Sequence, residues 1–266
     1  MRPKKYFGQN FLTQPKIAMD LVHAGDITGN EIVLEIGPGK GILTEKLLET
    51  GARVVAVEKD AELINFLKTK FEKEIKSGQL EIINDDIRDF NIQQLATSNY
   101  KLVANIPYYI TGEILRKFLE NDCQPERMVL MIQKEVAERI IAKNGRESIL
   151  SLSVKAYGKP KIEKKVKAGS FFPKPKVDST ILAITNISRK NFKLGHSMSK
   201  WDETKEKDFF ALVKKGFKSP RKQLRANLGI EKEEWHDVTK KLGLEELVRA
   251  ENLSLDNWFA LAKHLN

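Results

Sequence analysis

The chain has 266 residues, 41% hydrophobic and 31% charged, which excludes a disordered polymer and suffices for one well-buried domain and a smaller second one. Against 36 Asp and Glu stand 46 Lys and Arg, a formal charge of +10 that favours a polyanionic partner, nucleic acid ahead of an anionic membrane, over a merely solubilising surface. A single cysteine, Cys123, excludes an internal disulfide, and His23, His196, His236 and His264 are too scattered to predict a metal site. Residues 1–12 are basic with no apolar core, unlike a secretory signal, and no stretch approaches the ~20 apolar residues of a membrane span. The expectation is a soluble, cytoplasmic protein.

In chain order, Glu31–Ile36 is a short strand that ends in Gly37-Pro38-Gly39-Lys40-Gly41, after which Leu43, Leu47 and Leu48 recur at helical spacing. Arg53–Val57 reads as a second strand, followed by a helix with Leu63, Phe66 and Leu67 facing inward. Leu80–Ile83, Lys101–Ala104 and Met128–Ile132 supply three more strands, with a short helix over Ile92–Ala96. Strands alternating with helices predict a mostly parallel sheet covered on both faces. Lys161–Lys167 and Val177–Ile184, separated by the proline-bearing stretch Phe171–Pro175, are expected to complete the sheet. The polar run Asn186–Lys200 reads as a linker. Beyond it the pattern is helical: Phe209, Val213 and Phe217 share a face, Ser219-Pro220 offers an N-cap and a first-turn proline, and Leu255–Leu265 is the last helix. The expected division is a domain over 1–186, a linker over 187–200 and a helical domain over 201–266.

The Gly37–Gly41 turn joins a strand to a helix, where side chains would block backbone approach to a nucleotide-bearing ligand. Glu58 closes the second strand 21 residues after Gly37, where an acid can accept from both ribose hydroxyls. Asp86 follows the third strand, where a carboxylate can accept from an adenine amine. Lys40 is not followed by Ser or Thr in the frame of a phosphate-binding P-loop. The loop alone suits nicotinamide, flavin and adenosylmethionine enzymes, or a tight structural turn.

After the fourth strand comes Asn105-Ile106-Pro107-Tyr108-Tyr109-Ile110-Thr111. Its start resembles the Asn-(Ile/Leu)-Pro-Tyr motif of methyltransferases acting on adenine N6. That amine is a poor nucleophile, since its lone pair is delocalised into the ring. An Asn oxygen and the Ile106 carbonyl, turned inward by Pro107, can both accept from N6 and favour the charge that grows on it. The Tyr108 ring offers a stacking face for an extruded base. The plain structural alternative is a strand-end turn with two buried tyrosines. Tyr6-Phe7-Gly8-Gln9-Asn10-Phe11-Leu12 and Phe171-Phe172-Pro173-Lys174-Pro175-Lys176-Val177-Asp178-Ser179 also resemble segments of the ribosomal RNA adenine dimethyltransferases. Gly37-Pro38-Gly39, the run 218–228 and Arg249-Ala250-Glu251-Asn252-Leu253 look like the small-subunit branch more than the large-subunit enzymes that confer antibiotic resistance. Tyr109 departs from the pattern, standing where many members have Asn.

The resemblance, nearly end to end, implies an α/β Rossmann-like S-adenosylmethionine-dependent sheet with a small all-α C-terminal domain. It implies S-adenosylmethionine as cofactor, held by Asn10, Leu12, Gly37, Gly39, Glu58, Asp86 and Asn105, with Phe172 as the second wall of an adenine pocket opposite Tyr108. The implied reaction dimethylates two adjacent adenines in a hairpin near the 3′ end of small-subunit (16S) rRNA, by a monomer acting on an immature 30S particle. Between Lys205 and Arg225 eight basic residues face only Glu206 and Asp208. Lys218, Arg221, Lys222 and Arg225 are the expected phosphate contacts, with a solvated charged face as the bland alternative. A non-catalytic ribosome-assembly factor, a large-subunit rRNA adenine methyltransferase conferring antibiotic resistance, and more remotely a nicotinamide-dependent oxidoreductase, are the competing functions.

Overall fold

The computed structural model describes residues 3–95, 99–192 and 203–265. The chain divides into two compact units, Met1–Ala137 with Lys159–Ile187, and Glu138–Gly158 with Ser188–Asn266.

The first unit runs through β1 (Phe11–Leu12), α1 (Pro15–Gly25), β2 (Ile32–Ile36), α2 (Ile42–Leu48), β3 (Arg53–Glu58), α3 (Ala61–Lys70), α4 (Glu72–Lys76), β4 (Leu80–Asn84), β5 (Lys101–Asn105), α5 (Thr111–Leu119) and β6 (Arg127–Gln133). After α6 (Lys134–Ile140) and α7 (Ile149–Lys155) it closes with β7 (Lys159–Val166), β8 (Phe171–Phe172) and β9 (Ser179–Thr185). Seven strands form one sheet in the order β4-β3-β2-β5-β6-β9-β7. The first five are parallel, while β9 and β7 are antiparallel to their neighbours. This is the expected Rossmann-like α/β sheet. Its inner strands are covered on both faces, so Val33, Leu34, Leu102, Val103 and Met128–Ile132 read as continuous apolar runs with no exposed side chain. The order departs from β2 in both directions, and the crevice at the carboxyl ends of β2 and β5 is the switch point where such sheets bind ligands.

One inward residue differs from expectation. Phe66 is exposed, and the buried stripe of α3 is Leu63, Ile64 and Leu67. At 100° per residue Phe66 lies about a quarter turn off that stripe. The helix expected over Ile92–Ala96 is a single 3₁₀ turn at Ile92–Leu95, and Ala96 lies outside the described residues.

The second unit contains α7, α8 (Glu203–Gly216), α9 (Leu224–Leu228), α10 (Lys232–Leu242) and α11 (Leu255–Leu265), around Phe209, Val213, Leu224, Trp235 and Trp258. Helix α8 ends one residue before Phe217, whose ring stacks on Trp258. The segment 138–158, which the sequence reading assigned to the first domain, belongs to this unit. Tyr157 stacks on Phe210 and donates its hydroxyl to Glu206, and the Glu147 N–H bonds the Glu251 carbonyl. A local helical pattern does not record which distant surface will cover it. Part of the expected linker 187–200 is also core: Lys190–Phe192 is a 3₁₀ turn with Phe192 buried, while 193–200 lie outside the described residues. Ser219-Pro220 does not open a helix. The Lys222 N–H closes a turn on the Ser219 carbonyl, and α9 begins after Gln223.

Candidate active site

Parallel register places the site. Ile36 is opposite both Val57 and Ala104, so Gly37, Glu58 and Asn105 leave the sheet side by side. Glu58 is opposite Asn84, which brings Asp86 to the same edge. Here opens a cavity of about 1080 Å³ including its mouth. Asn10, Leu12, Gly37, Gly39, Glu58, Asp86, Asn105, Ile106, Pro107 and Tyr108 all line it. Phe172 does not: it is 58% exposed, opposite Phe11 in the two-stranded β1–β8 ribbon. Lys218, Arg221, Lys222 and Arg225 are in the second unit, the first three exposed.

Two glycines shape the loop. Gly37 has φ +65°, and a Cβ there would meet nothing within 4 Å, so the position is backbone facing open cavity. Gly41, φ +74°, caps α2 where a Cβ would lie 2.5 Å from the Phe71 ring and 2.9 Å from Leu67. Both conformations disfavour any side chain, and at Gly41 there is no room for one.

Glu58 is nearly buried. Its Oε2 accepts from the Gly39 N–H at 3.2 Å, and its Oε1 from the N–H groups of Lys59 and Asp60, both at 2.9 Å. Burial pushes its pKa up, and the three backbone donors oppose that rise. A carboxylate has about four lone-pair sites, so Glu58 keeps acceptor capacity towards the cavity. Asp86 is fully engaged: Oδ1 accepts from the Arg88 N–H and Nε, Oδ2 from Arg88 Nη2 at 2.7 Å and Lys59 Nζ at 2.8 Å. The Arg88 guanidinium and Lys59 hold its carboxyl well below the usual range. Receiving an adenine amine requires one of these half-exposed cations to swing aside, at a cost of about 0–1 kcal/mol.

The Asn105 amide donates through Nδ2 to the Asn10 carbonyl at 3.2 Å, which leaves Oδ1 as its acceptor. The Tyr108 hydroxyl meets Ser179 Oγ at 2.5 Å, and burial pushes its pKa up. The N-terminal segment forms one wall. It is tied down where Lys4 Nζ and Gln9 Nε2 donate to Asp60, at 2.7 and 3.1 Å.

The sequence reading missed Glu35. It lines the cavity, is 1% exposed, and neither carboxylate oxygen has a hydrogen-bond partner. Burial pushes its pKa up to about 8, with Thr44 opposing the rise and the charge of Glu58 adding to it. The signal was a lone charge within the apolar run Ile32–Ile36. Ser179, Lys59 and Arg88 were also missed as partners of Tyr108 and Asp86. Among the described residues no group of three or more His, Cys, Asp or Glu is placed to hold a metal, and no helix is long and apolar enough to cross a membrane.

Comparison with known proteins agrees with this architecture. The family model described as "Ribosomal RNA adenine dimethylase" matches residues 1–266. "Ribosomal RNA small subunit methyltransferase A" of Dehalococcoides mccartyi strain 195 is 38% identical over 264 residues, covering 97% of this chain and 87% of the relative. The protein of the same name from Fusobacterium nucleatum is 34% identical, covering 98% and 96%. A dimethyladenosine transferase from Plasmodium falciparum superposes with TM-score 0.79 at 26% identity, over 96% and 97% of the chains. The 23S rRNA methyltransferase ErmE superposes with TM-score 0.76 over 96% and 99%, at 22% identity a likeness of fold. The chain belongs to the ribosomal RNA adenine dimethylase family and is a methyltransferase.

Proposed function

We propose that this enzyme transfers methyl groups from S-adenosylmethionine to N6 of two adjacent adenines in a hairpin near the 3′ end of 16S rRNA, giving dimethyladenosine. The observation that carries the reading is the Asn105 amide, held by the Asn10 carbonyl so that its oxygen remains the acceptor in a nucleotide-sized cavity. The names of the small-subunit relatives favour 16S over 23S rRNA.

The cavity suits the cofactor in three respects. Gly37 presents bare backbone, Glu58 keeps acceptor capacity for ribose hydroxyls, and the buried Glu35, whose raised pKa a neighbouring cation would lower, suits a cationic amino group. Asn10, Leu12, Gly39 and Asp86 also line the cavity. When bound, the cofactor supplies an electrophilic methyl group on a sulfonium. Asn105 Oδ1 and the Ile106 carbonyl accept from N6 and orient its lone pair, while Pro107 fixes that carbonyl. Tyr108, anchored through Ser179, stacks on one face of the base, while Phe172, outside the cavity lining, would have to shift to cover the other. No strong base is needed, because the methylated amine is acidic enough to lose its proton to water.

Lys218, Arg221, Lys222 and Arg225 bind RNA phosphates in this reading, with Arg225 also donating to the Ile230 carbonyl at 3.0 Å. The substrate is an immature 30S particle, the enzyme a cytoplasmic monomer, and the second unit its RNA-binding part. The test is thermal melting with S-adenosylmethionine or NAD, followed by labelled methyl transfer to 30S and 50S subunits. S-adenosylmethionine at a hundred times its Kd adds about 2.7 kcal/mol of stability. Melting raised by NAD instead, or label in 50S only, overturns the reading.

A further inference from the structure

We propose that Tyr109 is the stacking platform for the nucleotide next to the target adenine, and thereby a specificity-determining residue. This rests on the function proposed above.

Tyr108–Ile110 is a single 3₁₀ turn, in which successive side chains point about a third of a turn apart. Each takes a different direction. Tyr108 reaches inward to Ser179, Ile110 enters the core at 6% exposure, and Tyr109 turns to the cavity mouth. It is 59% exposed and, of the described large apolar side chains that are exposed, the one that lines the cavity. Isolated exposed aromatics are ordinary on protein surfaces, but one at the rim of a substrate cavity is available to substrate.

The ring is also held. Gly8 adopts φ +62°, and a Cβ there would lie 2.9 Å from Tyr109 Cε1 and 3.2 Å from Cδ1. The edge of the ring therefore rests on the backbone of the N-terminal segment, which Lys4 and Gln9 tie to Asp60. Such support lowers the entropy lost when a base stacks on the ring.

The substrate chemistry supplies the occupant. Extruding one adenine from a hairpin leaves its neighbour without a stacking partner on that side. An aromatic face one residue along from Tyr108 replaces the lost stack.

The test compares wild-type enzyme with Tyr109→Ala and Tyr109→Phe on 30S subunits that lack the modification. The readouts are KM for RNA, kcat, and S-adenosylmethionine affinity by calorimetry. The expected result is a rise of roughly tenfold in KM for Tyr109→Ala, with cofactor affinity unchanged and recovery in Tyr109→Phe, which keeps the stacking face but not the hydroxyl. If the alanine variant does not fold, Tyr109→Asn gives the same contrast. An unchanged KM in the folded variant overturns the assignment. So does an equal loss of cofactor affinity, which makes the ring a cap on the cofactor. Failure of the wild-type enzyme to methylate the RNA overturns the underlying function, and this proposal with it.

Discussion

The Asn105 Nδ2 donates to the backbone carbonyl of Asn10 at 3.2 Å, joining the end of β5 to the N-terminal segment across 95 residues of sequence. The bond sets which end of the amide accepts, and acceptance at Oδ1 is what an adenine amine requires. Replacing Asn105 by Ala is expected to lower kcat by about 10²–10³, the usual cost of removing one preorganised group that stabilises developing charge. Cofactor affinity should change only a few-fold. Single-turnover kinetics and calorimetry check both, and normal turnover contradicts the role.

Glu35 predicts a pH dependence of stability. Its folded pKa, pushed up to about 8, lies above the ordinary 4.5, so the folded protein holds this proton more tightly than the unfolded chain. The resulting penalty is absent below pH 4.5, grows between 4.5 and 8, and is full above 8. Glu35→Gln is therefore expected to stabilise the ligand-free protein at pH 8.5, by up to a few kcal/mol, and to be near neutral at pH 4.5. Urea unfolding at the two pH values measures this, and an equal effect at both contradicts it.

Glu58→Gln should weaken S-adenosylmethionine binding by roughly 10- to 100-fold, the range for hydrogen bonds to a charged group. Because burial raises the Glu58 pKa, wild-type affinity should also fall towards acid pH as the carboxyl protonates, and the Gln variant should lose that part of the dependence. Calorimetry across pH decides the matter, and an identical pH profile in the variant counts against Glu58.

The two loop glycines should respond differently to Ala. At Gly41 the new methyl meets Phe71 and Leu67 on top of a left-handed backbone, with an expected loss of about 3 kcal/mol or more. At Gly37 only the backbone term applies, about 1–2 kcal/mol, but the methyl enters the cavity and should impair cofactor binding. Denaturant melts with calorimetry separate the two. Equal stability losses contradict the account.

Neutralising Lys218, Arg221 and Lys222 to Gln should lower the salt dependence of RNA binding by about one unit of slope per lost phosphate contact. Methyl transfer to a saturating substrate should persist. Binding titrations at several salt concentrations read the slope, and an unchanged slope assigns these residues to a solvated face.

Much of the fold and cavity was legible because its signals are local. Glycines at Gly37 and Gly39, an acid at each of two strand ends, and Asn105 to Tyr108 after another strand all depend on a few neighbouring residues, and parallel register aligns them. The misreadings lie where distant packing decides. Phe66 has the apolar character of an inward residue but sits beside the stripe. Nothing within segment 138–158 tells which unit will cover it, and distant contacts such as Tyr157 with Phe210 and Glu206 assign it to the second unit. Asp86 was identifiable as a strand-end acid, yet its capture by Arg88 and Lys59 depends on side-chain geometry. Glu35 was visible as a charge in an apolar strand, and was passed over because the glycine loop beside it has the stronger signal.

The most direct measurement is nucleoside analysis of 16S rRNA after small subunits from a strain lacking the modification are incubated with this enzyme and S-adenosylmethionine. The account predicts N6,N6-dimethyladenosine at two adjacent positions near the 3′ end, and none with Asn105→Ala. Absence of dimethyladenosine, when cofactor and subunits are both shown to bind, contradicts it and leaves a non-catalytic assembly role.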